Sequence, residues 1–556
     1  MEDKYTIGVD FGTLSARAVV ANTKNGEIAA ESVQNYEHGV MDRKLPDGTP
    51  LGRDWALQHP ADYLKALAAV TNEVIQKSAV KAHNIIGIAI DFTSCTVLPV
   101  DAKGKPLCFA ENMKNEPNAY VKLWKHHAAQ PQADRMDRIA KERGERFLNR
   151  YGNRISSEAM LPKILQILEE SPEIYSQTGR FMEAADFITE QLTGRPIRSN
   201  CCAGYKSFYS KKSGYPSHEF LKAVDPRIEF LFEEKLSGEI LQQGTLAGYI
   251  SEKSTWTGLK EGTAVAVPAI DAHVAVPAVG INKPGQLLMI MGTSGCDIIC
   301  DEKEYEIPGI CGVVEDGVLP GYYGYEAGQA CMGDQFDWFA KNCVPEEYCS
   351  QARSDNISVQ ELLTGKAEKL RPGESGLLAL DWWNGNRSVL SDGDLSGMIL
   401  GMTLATKPEE IYRALIEATA FGKRKIVENY VNGGINVNSI YACGGISGKN
   451  KMMMQIYADV LNREIKVSPV AQTGALGAAM LAACAAGKIN GGWDDIFEAS
   501  CAMSKEAAEV YKPIPENAAI YDALYEDFSK LHDYFGCGGN DVMKKLKKIS
   551  TEQKRR

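Results

Sequence analysis

Residues 5–17 read Tyr5-Thr6-Ile7-Gly8-Val9-Asp10-Phe11-Gly12-Thr13-Leu14-Ser15-Ala16-Arg17. The run up to Phe11 has the look of a buried strand, and Gly12-Thr13 ends it in a tight turn. Ala16 to Ala21 is a second apolar run. Asn25-Gly26 is a hairpin signal leading into Glu27–Val33. The chain therefore opens as consecutive antiparallel strands. A helical pattern covers Pro60 to Ser78, and Ile85 to Asp91 is another buried strand. Phe92-Thr93-Ser94-Cys95 is read as turning that strand into Thr96–Val100, a hairpin closed by Asp101–Gly104. Strand, hairpin, helix and strand make a mixed α/β fold.

The opening theme recurs. Ala264–Ile270 reads as a buried strand ending in Asp271. Gly285 to Met291 is another, ending in Gly292-Thr293-Ser294-Gly295, with Cys296–Cys300 continuing a hairpin. Both copies are an apolar strand, Gly-Thr, then a second strand. This pattern predicts an internal duplication with one copy per lobe, residues 1–280 and 281–556, each on a mixed five-stranded sheet with flanking helices. Between the copies, residues 119–192 are largely helical and 193–262 are loop-rich, an insertion suited to carry specificity. The second lobe continues with helix Pro408–Tyr430, strand Ser439–Cys443, Gly444-Gly445, helix Lys451–Leu461, strand Glu464–Val467 and an Ala-rich helix Thr473–Ala486. An amphipathic helix at Tyr521–Phe535 follows.

Composition narrows the function. The 556 residues carry a net charge of −11, which disfavours nucleic acid as a partner. An anionic ligand would need a local trap of backbone N–H groups. The fourteen cysteines form no CxxC pair or zinc-like ladder, as expected of a reducing, cytoplasmic setting. No secretion signal is read at the N-terminus. Gly474–Gly487 is too short and too rich in Ala and Gly to span a bilayer, so no membrane association is expected. The basic stretch Lys544–Arg556 reads as a solvated helix end. A homodimer is compatible with the sequence, which does not specify one.

Three glycine turns could hold phosphate. In Asp10-x-Gly12-Thr13 the glycine admits a phosphate to the backbone, Thr13 adds a hydroxyl, and Asp10 is placed to hold Mg²⁺. A polar hairpin with Asp as a turn residue is the alternative. The second turn, Gly292-Thr293, would let two loops clamp one polyphosphate. Gly444-Gly445-Ile446-Ser447, between a strand and a helix, can carry a nucleotide on exposed backbone, or be an ordinary turn. Neither a Walker A sequence nor a GxGxxG fingerprint is present, which argues against those nucleotide folds. Asp271 closes a buried strand and could take a proton from a substrate hydroxyl, or could cap a helix. Lys206, Glu326 and Trp124 are candidates to contact a polyol, with surface charge or core packing as the plainer readings. His126-His127 face different ways and give no metal site.

Taken together, these pieces resemble the FGGY carbohydrate kinases, within the actin/sugar-kinase/Hsp70 ATPase superfamily. Asp10 to Arg17 resembles the family's first phosphate motif, DxGTxSxR, and Met291-Gly292-Thr293-Ser294 the second. Gly397 to Gly422 approximates the C-terminal signature. Gly444-Gly445-Ile446-Ser447 with Asn450 resembles the adenosine segment. One departure stands out: Lys163 is followed by Gln166 where the N-terminal signature usually has tryptophan. Four runs, His38–Arg43, Ala119–Gln130, Gly324–Gln329 and Gly385–Ser388, resemble the branch that phosphorylates L-ribulose. The resemblance implies a two-lobed α/β ATPase fold and ATP- and Mg²⁺-dependent transfer of phosphate to the 5-hydroxyl of L-ribulose, in L-arabinose catabolism. It implies Gly12, Thr13, Arg17, Gly292, Thr293, Gly444, Gly445 and Asn450 on ATP, and Asp271 as the base. Lys206, Glu326, Trp124 and the Ser94 turn are then the sugar contacts.

Overall fold

The structure, a computed structural model, describes residues 2–554. Two mixed sheets organise it. In the first, Tyr5–Phe11, Ser15–Asn22 and Ile28–Asn35 form an antiparallel meander. Ile85–Phe92 then pairs parallel on the free side of Tyr5–Phe11, Ala264–Ala266 pairs parallel beyond it, and Leu246–Tyr249 closes the edge antiparallel. The second sheet repeats this order. Gln286–Met291, Gly295–Asp301 and Tyr323–Gln329 form the meander. Ser439–Cys443 and Ile465–Val467 add parallel strands, and Glu509–Tyr511 an antiparallel edge. The duplication read from two Gly-Thr pairs is thus a duplication of whole sheet topology. Each sheet has seven strands rather than five.

Local signals account for the elements. Pro60 opens the helix Pro60–Ser78, and Ala79 closes it in left-handed backbone at φ 53°. The helix Lys451–Leu461 is capped by Asn450, whose Oδ1 accepts the Met453 N–H at 2.9 Å. Pro268, which has no N–H to donate, divides the predicted Ala264–Ile270 strand into Ala264–Ala266 and Ala269–Ile270. Helix Thr473–Ala486 lies late in the chain yet packs on the first sheet and on helix Asp271–Ala278. Its small residues permit this: a Cβ on Gly477 would sit 1.9 Å from the Val274 carbonyl oxygen. The start of the Asp271 helix is therefore held by backbone-level packing.

Two expectations are corrected. Val97–Val100 does not form a hairpin with Ile85–Phe92. It joins a separate four-stranded sheet beside Arg180–Glu183 and Val121–Lys122. Ile85–Phe92 is central, flanked by parallel strands on both sides, and has no edge to offer. Residues 193–262 are also more ordered than read, with helices Asn200–Ser207, His218–Val224 and Leu231–Lys235. All eight residues of Asn200–Ser207 are buried. A helix covered on every side shows no amphipathic period, so its pattern resembles a loop.

All fourteen cysteines are free thiols. Among the described residues no helix is long and apolar enough to cross a membrane. The basic C-terminal stretch forms helix Val542–Lys554, with Lys544 paired to Asp392 at 2.6 Å; Arg555 and Arg556 lie outside the described residues.

Candidate active site

Three neighbouring strand ends each deliver a carboxylate. Asp10 and Asp91 are register partners, as are Phe11 and Phe92, whose rings stack at 4.8 Å. Phe92 is in turn the partner of Ile270, so Asp271 comes next in line. One guanidinium serves the group: Arg17 Nη1 lies 3.4 Å from Asp10 Oδ2. Asp271 Oδ1 accepts the Ala272 N–H at 2.7 Å. It is the first residue of its helix, not the cap, since Ile270 holds that position. Both Asp91 oxygens are buried without a hydrogen-bond partner.

The electrostatics follow from this shortage of positive charge. Burial pushes the Asp10 carboxyl up despite Arg17. Burial, then Asp10 and Asp271, push Asp91 well up. Burial and the charge of Asp10 push Asp271 up to about 7. Asp10 and the unsatisfied Asp91 are the oxygen groups here that suit a hard divalent cation such as Mg²⁺. Asp91 was missed by the sequence reading. Its signal was there: Ile88-Ala89-Ile90-Asp91-Phe92 repeats the pattern Ile7-Gly8-Val9-Asp10-Phe11.

Each Gly-Thr turn is closed by its glycine N–H, the second turn being one residue tighter than the first. The Gly12 N–H donates to Ser15 O at 3.0 Å, and the Gly292 N–H to Ser294 O at 3.1 Å. The glycine N–H groups are spent on closing the turns, so an anion would meet the groups of Thr13 and Thr293. Little stands in the way, since Cβ atoms on Gly12 or Gly292 would come no nearer than 3.5 Å to other atoms. The third turn leans on the second. Gly444 has φ +102°, and a Cβ there would sit 2.5 Å from Met291 O. Gly445 beside it faces open space. Asn450 spends its carbonyl oxygen on the helix cap, leaving its amide as the group to meet a ligand.

A polar ring surrounds the ground next to Asp271. Trp124 Nε1 donates to Thr13 Oγ1 at 3.2 Å. Arg387 lies over the Trp124 ring at 5.7 Å and donates from Nη2 to Glu158 Oε1 at 2.9 Å. Lys206 Nζ stands 3.7 Å from Glu158 and 3.9 Å from Glu326. Glu326 reaches His273 at 3.2 Å, two residues beyond Asp271. Although burial opposes it, Arg387 and Lys206 hold Glu158 down at about 2, and Lys206 with His273 does the same for Glu326. Lys206 is held above its ordinary value by Glu326 and Glu158. Glu158, Glu326, Lys206 and Arg387 are thus charged, and Lys206 lies too far from either carboxylate for a hydrogen bond. Its N–H groups remain available to hydroxyls.

Every predicted sugar contact lies in or beside this ring. Ser94 Oγ is buried with no partner. Lys163 Nζ donates to Cys95 O at 2.7 Å and Leu123 O at 3.0 Å, tying down the residues next to Ser94 and Trp124. The departure at Gln166 has a local reason: its Oε1 accepts from Lys122 at 3.1 Å and meets His126 at 2.8 Å, all buried. His126 and His127 diverge, the latter meeting Ser157 Oγ at 3.1 Å. The sequence reading singles out neither Glu158 nor Arg387 as a site residue, and it takes His273 for a structural histidine, which here pairs with Glu326. Arg387 comes from a loop more than two hundred residues from its partner, so no local spacing could reveal the pair.

Duplicated lobes, each with a Gly-Thr turn, beside a polar ring and strand-end carboxylates of raised basicity suit phosphoryl transfer to a small polyhydroxylated acceptor. The chain belongs to the FGGY family of carbohydrate kinases: the family's N-terminal domain matches residues 5–277 and its C-terminal domain residues 287–486. It is 55% identical over 549 residues to a ribulokinase from Geobacillus thermodenitrificans, covering 98% of this chain and 97% of that one. It is 54% identical over 557 residues to a ribulokinase from Halalkalibacterium halodurans, covering 100% and 99%. Among solved structures, a gluconate kinase from Lactobacillus acidophilus superposes with TM-score 0.79 at 20% identity, over 97% of this chain and 99% of that one. A xylulose kinase from Rhodospirillum rubrum gives 0.77 at 23%, over 95% and 98%. These structural likenesses establish the fold.

Proposed function

We propose that this enzyme transfers the γ-phosphoryl group of ATP to the 5-hydroxyl of L-ribulose, giving L-ribulose 5-phosphate. The near-full-length identity to ribulokinases carries this reading. In this reading the step belongs to L-arabinose catabolism and takes place in the cytoplasm. The N-terminal lobe, residues 1–280, carries most of the sugar site, and the lobe of residues 281–556 carries the adenosine segment.

In this reading the Thr13 and Thr293 turns hold the polyphosphate from opposite sides. Arg17 supports the first turn through Asp10, and Gly444-Gly445 with Asn450 takes the adenosine. Asp10 and Asp91 would hold Mg²⁺, which offsets phosphate charge when bound. Lys206 and Glu326 orient the acceptor by donating to and accepting from its hydroxyls. Asp271, with a carboxyl raised to about 7, takes the proton of the attacking hydroxyl. Such a base is partly ionised near neutrality and stronger than an exposed carboxylate.

ADP release measured with ATP and Mg²⁺ across L-ribulose, D-ribulose, L- and D-xylulose, ribitol and glycerol tests the assignment. Fastest turnover with L-ribulose is expected. A different preferred acceptor would make the chain another pentulose or polyol kinase. Hydrolysis indifferent to every sugar would make it an ATP-gated binding protein.

A further inference from the structure

Arg387 and Glu158 belong to neither the phosphate turns nor the proton transfer, yet several hydrogen bonds hold them in place. The Arg387 loop is locked on itself: Asn386 and Asp392 exchange backbone hydrogen bonds at 2.9 and 2.8 Å, and Asn386 Oδ1 accepts the Leu390 N–H at 2.9 Å. Ser388 Oγ accepts the Gly328 N–H at 3.2 Å, fastening the loop to the strand that carries Glu326. The backbone behind Glu158 is fastened to the same loop, since Arg154 donates to Ser391 O. A guanidinium set this rigidly is suited to recognising one acceptor geometry.

Its place in the ring says which part of a sugar it meets. One path runs from Asp271 through His273, Glu326 and Lys206 to Glu158. The other runs through Asp10, Thr13 and Trp124 to Arg387. The two meet at the Arg387–Glu158 pair, which is the point in this chain of contacts with the most links between it and Asp271. An acceptor whose terminal hydroxyl lies at Asp271 therefore extends its other end toward this pair.

Chemistry supplies the second half. A 2-ketopentose closes into a five-membered ring only by using its own 5-hydroxyl. That hydroxyl is the nucleophile here, so the reacting form is the open chain, with a free C2 carbonyl and a C1 hydroxymethyl group. A carbonyl needs a donor and offers none. Arg387 is a pure donor, with one N–H engaged by Glu158, and Glu158 is a pure acceptor.

We propose that Arg387 and Glu158 read the keto end of the open-chain sugar, Arg387 donating to the C2 carbonyl and Glu158 accepting from the C1 hydroxyl. The pair thereby favours ketopentoses over pentitols, whose C2 hydroxyl gives the guanidinium a weaker acceptor. This inference rests on the sugar-kinase reading.

The test compares L-ribulose with ribitol as acceptors for wild type, Arg387→Met, Arg387→Lys and Glu158→Gln. Arg387→Met should raise KM for L-ribulose at least about tenfold, the loss of a charge-assisted hydrogen bond. Its KM for ribitol should rise by a smaller factor, about two- to fivefold, with KM for ATP unmoved. Arg387→Lys should recover part of the preference, and Glu158→Gln should weaken both acceptors through the C1 hydroxyl they share. Should Arg387→Met fail to fold by thermal melt, the Lys variant alone decides, by its shifted L-ribulose to ribitol ratio. Equal losses for both acceptors, or an unchanged ratio, would reduce the pair to a structural brace and overturn the proposal. Absence of any sugar-dependent ADP release by the wild type would instead overturn the kinase reading beneath it.

Discussion

Replacing Asp271 by Asn should cripple the enzyme and stabilise the protein at the same time. The substitution keeps the shape of the side chain, and the amide oxygen can still accept the Ala272 N–H now held at 2.7 Å. What disappears is the negative charge and the basicity. Loss of a positioned general base costs about 10²- to 10⁴-fold in kcat, while ATP binding should survive because both Gly-Thr turns are untouched. The stability effect has the opposite sign. The Asp271 carboxyl rises from 3.8 to about 7 in the folded protein. A carboxyl raised in this way binds its proton more tightly when folded, so ionisation weakens the fold above that value. The penalty is full near pH 8, shrinks as pH falls through 7, and is gone below about 4. At about 1.4 kcal/mol for each pH unit of the rise, its ceiling is about 4 kcal/mol. Thermal melts without metal or nucleotide should show the variant above wild type by a few degrees near pH 8, with the gap narrowing toward pH 5. Near-normal turnover would remove Asp271 as the base. A variant less stable than wild type near pH 8 would refute the charge-strain argument.

Three further outcomes follow from the same geometry. Asp91→Asn should weaken Mn²⁺ binding to the nucleotide-free protein by about 10- to 100-fold, read by electron paramagnetic resonance; unchanged affinity would remove Asp91 from the cation site. Lys423→Met should destabilise the second lobe by about 3–5 kcal/mol in denaturant melts, because Asp297, paired to Lys423 at 2.5 Å with both side chains fully buried, would be left alone. Gly444→Ala should raise KM for ATP more than KM for sugar, since φ +102° and the 2.5 Å approach to Met291 O force the third turn to move.

How much of this was legible depended on how local each signal was. The helix Pro60–Ser78 and the strand Ser439–Cys443 fall where they were read, because proline, glycine and an uninterrupted pattern mark their ends. The two Gly-Thr turns were enough to expose the duplication, since the strands around them are contiguous in sequence. Val97–Val100 was mispaired because a hairpin is the nearest partner in sequence, and only the filled neighbours of Ile85–Phe92 forbid it. Lys206 and Glu326 looked like ordinary surface charges one at a time. They are buried because each neutralises the other's surroundings, a property of the pair and of neither residue. Arg387 and Glu158 could not be found by spacing at all, being joined only by the fold.

The position of the transferred phosphate tests the role of Asp271 most directly. Phosphorus NMR of the product formed from L-ribulose, ATP and Mg²⁺ should show one phosphomonoester coupled to the C5 methylene protons, formed in step with ADP. A phosphoryl group on C1, or inorganic phosphate released in place of a sugar phosphate, would contradict the orientation set by Asp271 and the function built on it.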